Sequence, residues 1–238
     1  GRPDNGRTAP PPGQFDKLAI GQAHGCAYGD FILPVCWGRP DNGRTSPPDL
    51  TWFRDMAAGR STTCGLEAFS GEVVCFGDDY QSLVTSRPEG SYARISLYFA
   101  HACVASFVDQ VKCWGRGSEG QTEVSDALLG GTVPAAGRFH SCAIDLVADT
   151  YCWGDDDALT AVPAQTFIEV AAGETNTCAI RLLDGGITCW GGDGDGQSRP
   201  PNGRFVQITV GEAHACALRE DGEVLCWGKN DRGQTDVP

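Results

Sequence analysis

Short runs of alternating apolar and polar positions recur six times along this chain. The most regular copy, HACALREDGEVLCWG at 214–228, places one β-type run on each side of Glu220-Asp221-Gly222, with a cysteine in each run. Its counterparts are HGCAYGDFILPVCWG from His24, TTCGLEAFSGEVVCFG from Thr62, HACVASFVDQVKCWG from His101, HSCAIDLVADTYCWG from His140 and NTCAIRLLDGGITCWG from Asn176. Ahead of the hairpins lies an apolar run ending in glycine: FDKLAIG at 15–21, FRDMAAG at 53–59, FIEVAAG at 167–173 and FVQITVG at 205–211. The third copy is YARISLY at 92–98, with Tyr98 in the glycine's place. The fourth, GTVPAAG at 131–137, lacks the aromatic and carries Pro134, which predicts a shorter or edge-lying first strand because proline cannot donate to a ladder. After each third run comes a polar Gly/Asp/Asn-rich segment, such as GKNDRGQTDVP at 228–238, suited to turns.

Each unit therefore reads as first strand, short loop, second strand, tight hairpin, third strand and long connector. Self-similarity at about 38 residues with three or four strands per unit predicts an all-β fold, a six-bladed β-propeller, because one unit cannot bury both its faces whereas neighbouring blades can. The repeats fall at 14–50, 51–90, 91–130, 131–165, 166–203 and 204–238 of a single domain spanning 1–238. Residues 1–13 are a leftover connector or closing strand. GRPDNGRT at 1–8 reappears letter for letter at 38–45, after Cys36-Trp37, so the propeller has a seventh blade if this segment belongs to a further unit.

The cysteines set the register. Four pairs are 10 residues apart: Cys26 and Cys36, Cys103 and Cys113, Cys142 and Cys152, and Cys216 and Cys226. Two pairs, Cys64 and Cys75 together with Cys178 and Cys189, are 11 apart. If Cys216 opposes Cys226, then Leu218 opposes Val224, and Gly222 ends a three-residue turn where positive φ is needed. In the two longer copies the extra residue fits the turns at 68–71 and 182–185, so every pair can face across its hairpin as a disulfide. Two chemical alternatives stand beside this. His and Cys at i and i+2 share a strand face, so His24, Cys26 and Cys36, or the sets at His101, His140 and His214, could ligate zinc or form a Cys/His nucleophile. The histidine position is Thr62 in repeat two and Asn176 in repeat five, with both cysteines kept, which favours the staple. No catalytic residue, metal site or cofactor is assigned. The histidines are read as packed residues bonding loop backbone, and Trp37, Trp114, Trp153, Trp190 and Trp227, with Phe76, as packing between blades on the face opposite the cysteines.

Composition narrows the classes further. An excess of 31 acidic over 18 basic residues argues against a nucleic-acid backbone as partner. No apolar run approaches the length of a membrane span, so no membrane insertion is expected. Twelve cysteines, even in number and regularly spaced, point to an oxidising compartment and a secreted, extracellular protein, represented by its mature part because no signal peptide is visible.

The glycine-ended first strand, the H-x-C-A-L-like second strand, the V-x-C-W-G-like third strand and the following G-Q-T resemble the regulator-of-chromosome-condensation repeat family over nearly the whole chain. The short cysteine-paired version is similar to the ectodomains of crinkly-type plant receptor kinases and to secreted bacterial repeats. That resemblance implies a propeller that works by binding proteins, as a β-lactamase-inhibitor propeller of related fold does. The family's nuclear founder is an exchange factor for a small GTPase and binds chromatin. Shorter repeats, paired cysteines and acidity set this chain apart from it, and fold alone does not carry that activity over.

Two loop sets are candidate surfaces. Between first and second strands stand Gln22, Arg60, Phe99, Arg138, Phe139, Glu174 and Glu212. At the hairpin tips stand Phe31 and Ile32, Phe69, Phe107 and Val108, Leu146 and Val147, and Leu182 and Leu183, with the polar Glu220-Asp221 as the exception. Turns are normally polar, so apolar tips are either buried under Pro-rich connectors such as Ser46-Pro47-Pro48 or present a docking ring. GGDGDGQS at 191–198 resembles the start of a calcium loop, but counting from Asp193 puts Arg204 where a bidentate Glu is required, which excludes an EF-hand. The expected function is a non-enzymatic extracellular protein-interaction module of the receptor, adhesin or inhibitor kind. The alternatives are a self-associating subunit of a surface assembly or filament and a glycan-binding propeller.

Overall fold

In the computed structural model, residues 10–106, 110–128, 130, 133–155 and 157–237 are described, Asp157 and Ala158 by backbone alone. The chain is all-β: among the described residues, eighteen strands form six antiparallel three-stranded sheets, each ordered as in the sequence. These are the blades. Blade 1 has β1 (Lys17–Ile20), β2 (His24–Gly29) and β3 (Ile32–Gly38); blade 2 has β4 (Phe53–Ala58), β5 (Thr62–Glu67) and β6 (Val73–Gly77). Blade 3 has β7 (Arg94–Tyr98), β8 (His101–Ala105) and β9 (Val111–Gly115), and blade 4 has β10 (Val133–Ala136), β11 (His140–Ile144) and β12 (Thr150–Gly154). Blade 5 has β13 (Phe167–Ala172), β14 (Asn176–Arg181) and β15 (Ile187–Gly191); blade 6 has β16 (Phe205–Val210), β17 (His214–Arg219) and β18 (Val224–Gly228). A short helix, α1 (Asp157–Thr160), lies in the connector after blade 4. By packing, the chain divides into two compact units of three blades each, 1–117 and 118–238.

Every cysteine pair is a disulfide, and the register is the one the spacing requires. Cys26 is bonded to Cys36, Cys64 to Cys75 and Cys103 to Cys113 in the first unit. In the second, Cys142 is bonded to Cys152, Cys178 to Cys189 and Cys216 to Cys226. The partners stand directly opposite each other, Cys103 across from Cys113 and Cys178 across from Cys189, and Leu218 opposes Val224 as expected. The outward ladder bonds, Arg39 N–H to the Ala23 carbonyl and Lys229 N–H to the Ala213 carbonyl, put the cysteines on non-hydrogen-bonded pairs. Such pairs bring Cα atoms closest, here to 4.0–4.1 Å. The longer hairpins absorb their extra residue in the turn: Leu66 opposes Val73 and Ile180 opposes Ile187, while Gly71, Gly185 and Gly222 take φ of 73°, 68° and 92°. Blade 4 has no glycine there, and Ala148 is held at φ 68° instead. Pro134 sits in a four-residue first strand at its sheet's edge, although the first strand lies at the edge in every blade.

The first strands carry a feature that simple alternation does not predict. A bulge follows Phe53, Phe167 and Phe205, shifting the register by one residue. It lets the aromatic and the residues three and five places later share one buried face: Phe167, Val170 and Ala172 in blade 5, and Phe205, Ile208 and Val210 in blade 6. This face packs on the disulfide face of the preceding blade. Phe205, Ile208 and Val210 lie against Cys178, Ile180 and Ile187, and Phe53 and Met56 lie against Cys26 and Tyr28. Trp190, 5.9 Å from Phe167, and the part-buried Trp227, packed with Phe205, stand on the same side as the apolar face of their blades' bulged strands, and Trp114 and Trp153 hold the same register position in blades 3 and 4. Each also reaches back to the preceding connector, where the indole N–H donates to the carbonyl of Leu83 from Trp114, Gln121 from Trp153, Leu159 from Trp190 and Gln197 from Trp227, at 2.9–3.0 Å.

Candidate functional site

The cysteines of the repeated His/Cys pairing are staples rather than free thiols. All twelve cysteines are in disulfides, and among the described residues no group of three His, Cys, Asp or Glu side chains could hold a metal. Two of the histidines, His24 and His140, correct the expectation that they bond loop backbone. His24 Nε2 lies 2.7 Å from Thr63 Oγ1 of blade 2, and His140 Nε2 lies 2.6 Å from Thr177 Oγ1 of blade 5, so each ties its blade to the next. Where histidine is missing, the tie is missing too. The residue in the next blade is Ala102 after Thr62 and Ala215 after Asn176, and these two side chains turn instead to connector carbonyls, Thr62 to Asp78 at 2.5 Å and Asn176 to Gln197 at 3.4 Å. Burial, with Arg44 nearby, lowers the pKa of His24 from 6.5 to about 4; burial also lowers that of His214.

The loops between first and second strands are a second set of ties. Backbone bonds run from the N–H of Gln22 to the carbonyl of Gly59, Arg60 to Phe99, Arg138 to Gly173 and Glu174 to Gly211, at 3.0–3.4 Å. The side chains join in: the Arg60 guanidinium lies 5.1 Å over the Phe99 ring, and Arg138 lies 4.9 Å over Phe139 while pairing with Glu174. Arg60, Phe99 and Arg138 are thus engaged in holding blades together, and Phe139 lies under the Arg138 guanidinium within blade 4. Further ties come from the first strands. The Asp55 carboxylate accepts the Ile95 N–H at 3.0 Å, Glu169 accepts the Ile208 N–H at 3.1 Å, and Lys17 Nζ donates to the Arg54 carbonyl at 2.9 Å. Burial raises the pKa of Asp55.

The hairpin tips are the other candidate, and here the connectors do not cover the apolar side chains. Phe31 is 82% exposed, Phe69 70%, Leu146 59%, Val147 63%, Leu182 55% and Leu183 93%. Phe107 and Val108 lie outside the described residues. One assignment is corrected: Ile32 opposes Gly29 inside β3 and is half-buried, because blade 1 turns tightly on Asp30 and Phe31, with Phe31 at φ 61°. Phe69 has one aromatic neighbour, Trp52 of the connector, edge-on at 6.0 Å between centroids.

What pushes the tip side chains outward is a set of carboxylates that the periodic pattern does not single out. Glu67 Oε2 accepts the N–H groups of Ser70 at 2.6 Å and Phe69 at 3.0 Å, and Asp145 Oδ1 accepts those of Val147 and Asp149 at 2.9 Å. Asp184 Oδ1 accepts the Gly186 N–H at 3.0 Å and the Arg181 guanidinium at 2.8 Å. These bonds, led by Ser70 at Glu67 and by Arg181 at Asp184, lower both carboxyl pKa values. The recoverable signal was an acid just before the turn, as at Glu67 and Asp145, or within it, as at Asp184, where its oxygen caps turn N–H groups and leaves the apolar residues facing water. The polar tip of blade 6 is instead laced by ion pairs, Arg219 with Glu223 and Arg204 with Glu220.

Six disulfide-stapled three-stranded blades, tied to their neighbours within each unit, define a β-propeller of short repeats. Residues 205–234 match the sequence model of the regulator of chromosome condensation (RCC1) repeat, and the other five copies share the sequence elements of that segment. The serine/threonine-protein kinase-like protein CCR4 of Arabidopsis thaliana is 36% identical over 52 residues, which is 22% of this chain and 6% of that protein's length. Among solved structures, the CRINKLY WD40 ectodomain of the Arabidopsis thaliana receptor kinase ACR4 superposes with a TM-score of 0.74 at 23% identity, covering 89% of this chain and 81% of that one. The entire ectodomain of the Physcomitrella patens receptor kinase CR4 gives 0.77 at 23%, covering 94% and 66%. Prp20p of Saccharomyces cerevisiae, described with its binding properties to Gsp1p and histones, gives 0.73 at 16%, covering 89% and 71%. At these identities the structural likeness speaks to fold. Among the described residues no helix is long and apolar enough to cross a membrane.

Proposed function

We propose that this chain is a non-enzymatic, extracellular protein-interaction module that docks its partner on the apolar hairpin tips. The observation that carries this reading is the exposure of Phe31 on its tight turn, and of Phe69, Leu146, Val147, Leu182 and Leu183 on turns whose backbones are held by Glu67, Asp145 and Asp184. Large apolar side chains on rigid turns lose little conformational freedom on binding, so their burial is not offset by ordering. The disulfides suit an oxidising compartment. The ectodomain neighbours agree with that placement, and Prp20p illustrates protein binding on this fold. The test is a panel of purified cell-surface ectodomains probed with the intact oxidised chain and with the triple variant Phe31→Ser, Phe69→Ser, Leu183→Ser. The expected result is a binder lost in the variant while its melting curve is unchanged. Binding that survives the triple substitution would overturn the assignment to the tips.

A second reading, self-association into a surface assembly, is favoured by blade 1. Leu18 and Ile20 are 64% and 63% exposed, whereas their counterparts Met56 and Ala58, Val170 and Ala172, and Ile208 and Val210 are buried. Sedimentation velocity across the micromolar range separates the readings: concentration-dependent growth abolished by Ile20→Asp supports assembly, and a constant monomer excludes it.

A further inference from the structure

We propose that the outer edge of blade 4 binds an extended, basic peptide segment as a fourth strand. The third strand of each blade is the outer edge of its sheet, and in blade 4 a cleft of 540 Å³ opens beside it. One wall is the edge itself, Asp149, Thr150 and Tyr151; the other is the connector from Val162 to Thr166. That volume lies within the range of binding clefts, roughly 300–1,000 Å³.

The backbone is arranged for strand addition. Asp145 N–H bonds the Asp149 carbonyl and Asp155 N–H bonds the Phe139 carbonyl, so the odd-numbered residues of β12 are the ones that pair with β11. By the alternation of antiparallel ladders, the N–H and C=O groups of Thr150 and Cys152 point the other way, toward an absent neighbour. No partner meets them among the described residues. The Thr150 hydroxyl, which lines the cleft, is buried and also lacks a partner among the described residues. Two outward-facing residues spaced by two are what an incoming strand requires.

The opposite wall is already fixed. Gln165 N–H donates to the Pro163 carbonyl at 2.7 Å, its Oε1 accepts the Thr188 hydroxyl at 2.8 Å, and the Thr166 carbonyl accepts the Leu182 N–H at 3.0 Å. The cleft therefore need not be organised by its ligand. Its charge selects the occupant: Asp149 lines it, Asp145 lies buried across the ladder with Oδ2 unbonded among the described residues, and neither Lys nor Arg is in its lining. A strand bearing Lys or Arg beside Asp149 satisfies both the hydrogen bonding and the charge. This site lies on the sheet edge and does not depend on the apolar tips.

The probe is the blocked hexapeptide TKVKVT, compared with TEVEVT and with TKVKVT N-methylated at alternate amides, each titrated into the intact oxidised chain and followed by amide NMR. TKVKVT is expected to shift Thr150, Tyr151 and Cys152 and to slow exchange of the Thr150 and Cys152 N–H groups. TEVEVT should bind at least about fivefold more weakly, and Asp149→Lys should weaken TKVKVT by about fivefold, the scale of one exposed ion pair. The variant's spectrum elsewhere reports an intact fold. No shift at millimolar peptide, shifts confined to other blades, or equal binding of the N-methylated peptide would each overturn strand addition, and equal binding of TEVEVT would overturn the basic ligand.

Discussion

The tie between His24 and Thr63 makes blade 1 sensitive to acid, and its size can be worked out. His24 is buried, with its Nε2 2.7 Å from the Thr63 hydroxyl and Arg44 close by, and its pKa falls from 6.5 to about 4. In the unfolded chain the imidazole titrates at its ordinary value, so between these limits the unfolded state binds the proton and the folded state does not. Stability is therefore full above pH 6.5 and is lost as pH falls toward 4, by about 3 kcal/mol at the limit and about 2 kcal/mol at pH 5. His24→Asn, which copies the residue at 176, removes this group while keeping a neutral polar side chain. Urea unfolding of the oxidised proteins by tryptophan fluorescence at pH 7.5 and pH 5 should show wild type losing about 2 kcal/mol more than the variant. The variant also leaves the Thr63 hydroxyl without its histidine. Thr63 also donates its hydroxyl to the Arg44 carbonyl at 3.2 Å, so a double-mutant cycle with Thr63→Ala should give a coupling of about 1 kcal/mol at neutral pH rather than a gain in stability. Equal pH dependence in wild type and His24→Asn would refute the argument, because the buried imidazole would then be titrating as it does in the unfolded chain.

Three further outcomes follow from the same contacts. Ala148→Gly should stabilise the protein by about 0.5–1 kcal/mol in thermal or urea unfolding, since glycine relieves the left-handed strain at φ 68° and loses part of the gain to backbone entropy. Replacing Cys64 and Cys75 together by Ala should cost about 2–3 kcal/mol by the chain-entropy model, read as a shift in urea midpoint, with no gain of metal binding. Asp55 acts opposite to His24. Its raised pKa means that its ionisation costs stability, which is regained as pH falls through the folded value toward 3.8, so Asp55→Asn should flatten the unfolding profile over that acid interval.

Much of this molecule is local, and the local part was legible. A hairpin closes over ten or eleven residues, so cysteine spacing and a turn glycine define which residues oppose each other. The six disulfides, from Cys26 with Cys36 to Cys216 with Cys226, the turn positions of Gly71, Gly185 and Gly222, and the propeller class all follow from that arithmetic. The repeats even held the histidine tie in readable form, because Thr63 and Thr177 follow His24 and His140 by one blade while Ala102 and Ala215 follow Thr62 and Asn176. Tertiary packing decided the rest. The bulge after Phe53, Phe167 and Phe205 answers to the shape of the preceding blade's disulfide face, a whole repeat away in sequence, and no strand-period pattern contains it. Whether Phe69 and Leu183 are covered depends on the course of connectors that carry no periodic signal, and the cleft beside Thr150 exists because one connector runs clear of a sheet edge. Opposition across a turn is a property of adjacent residues; exposure is a property of everything else that could have come to lie there.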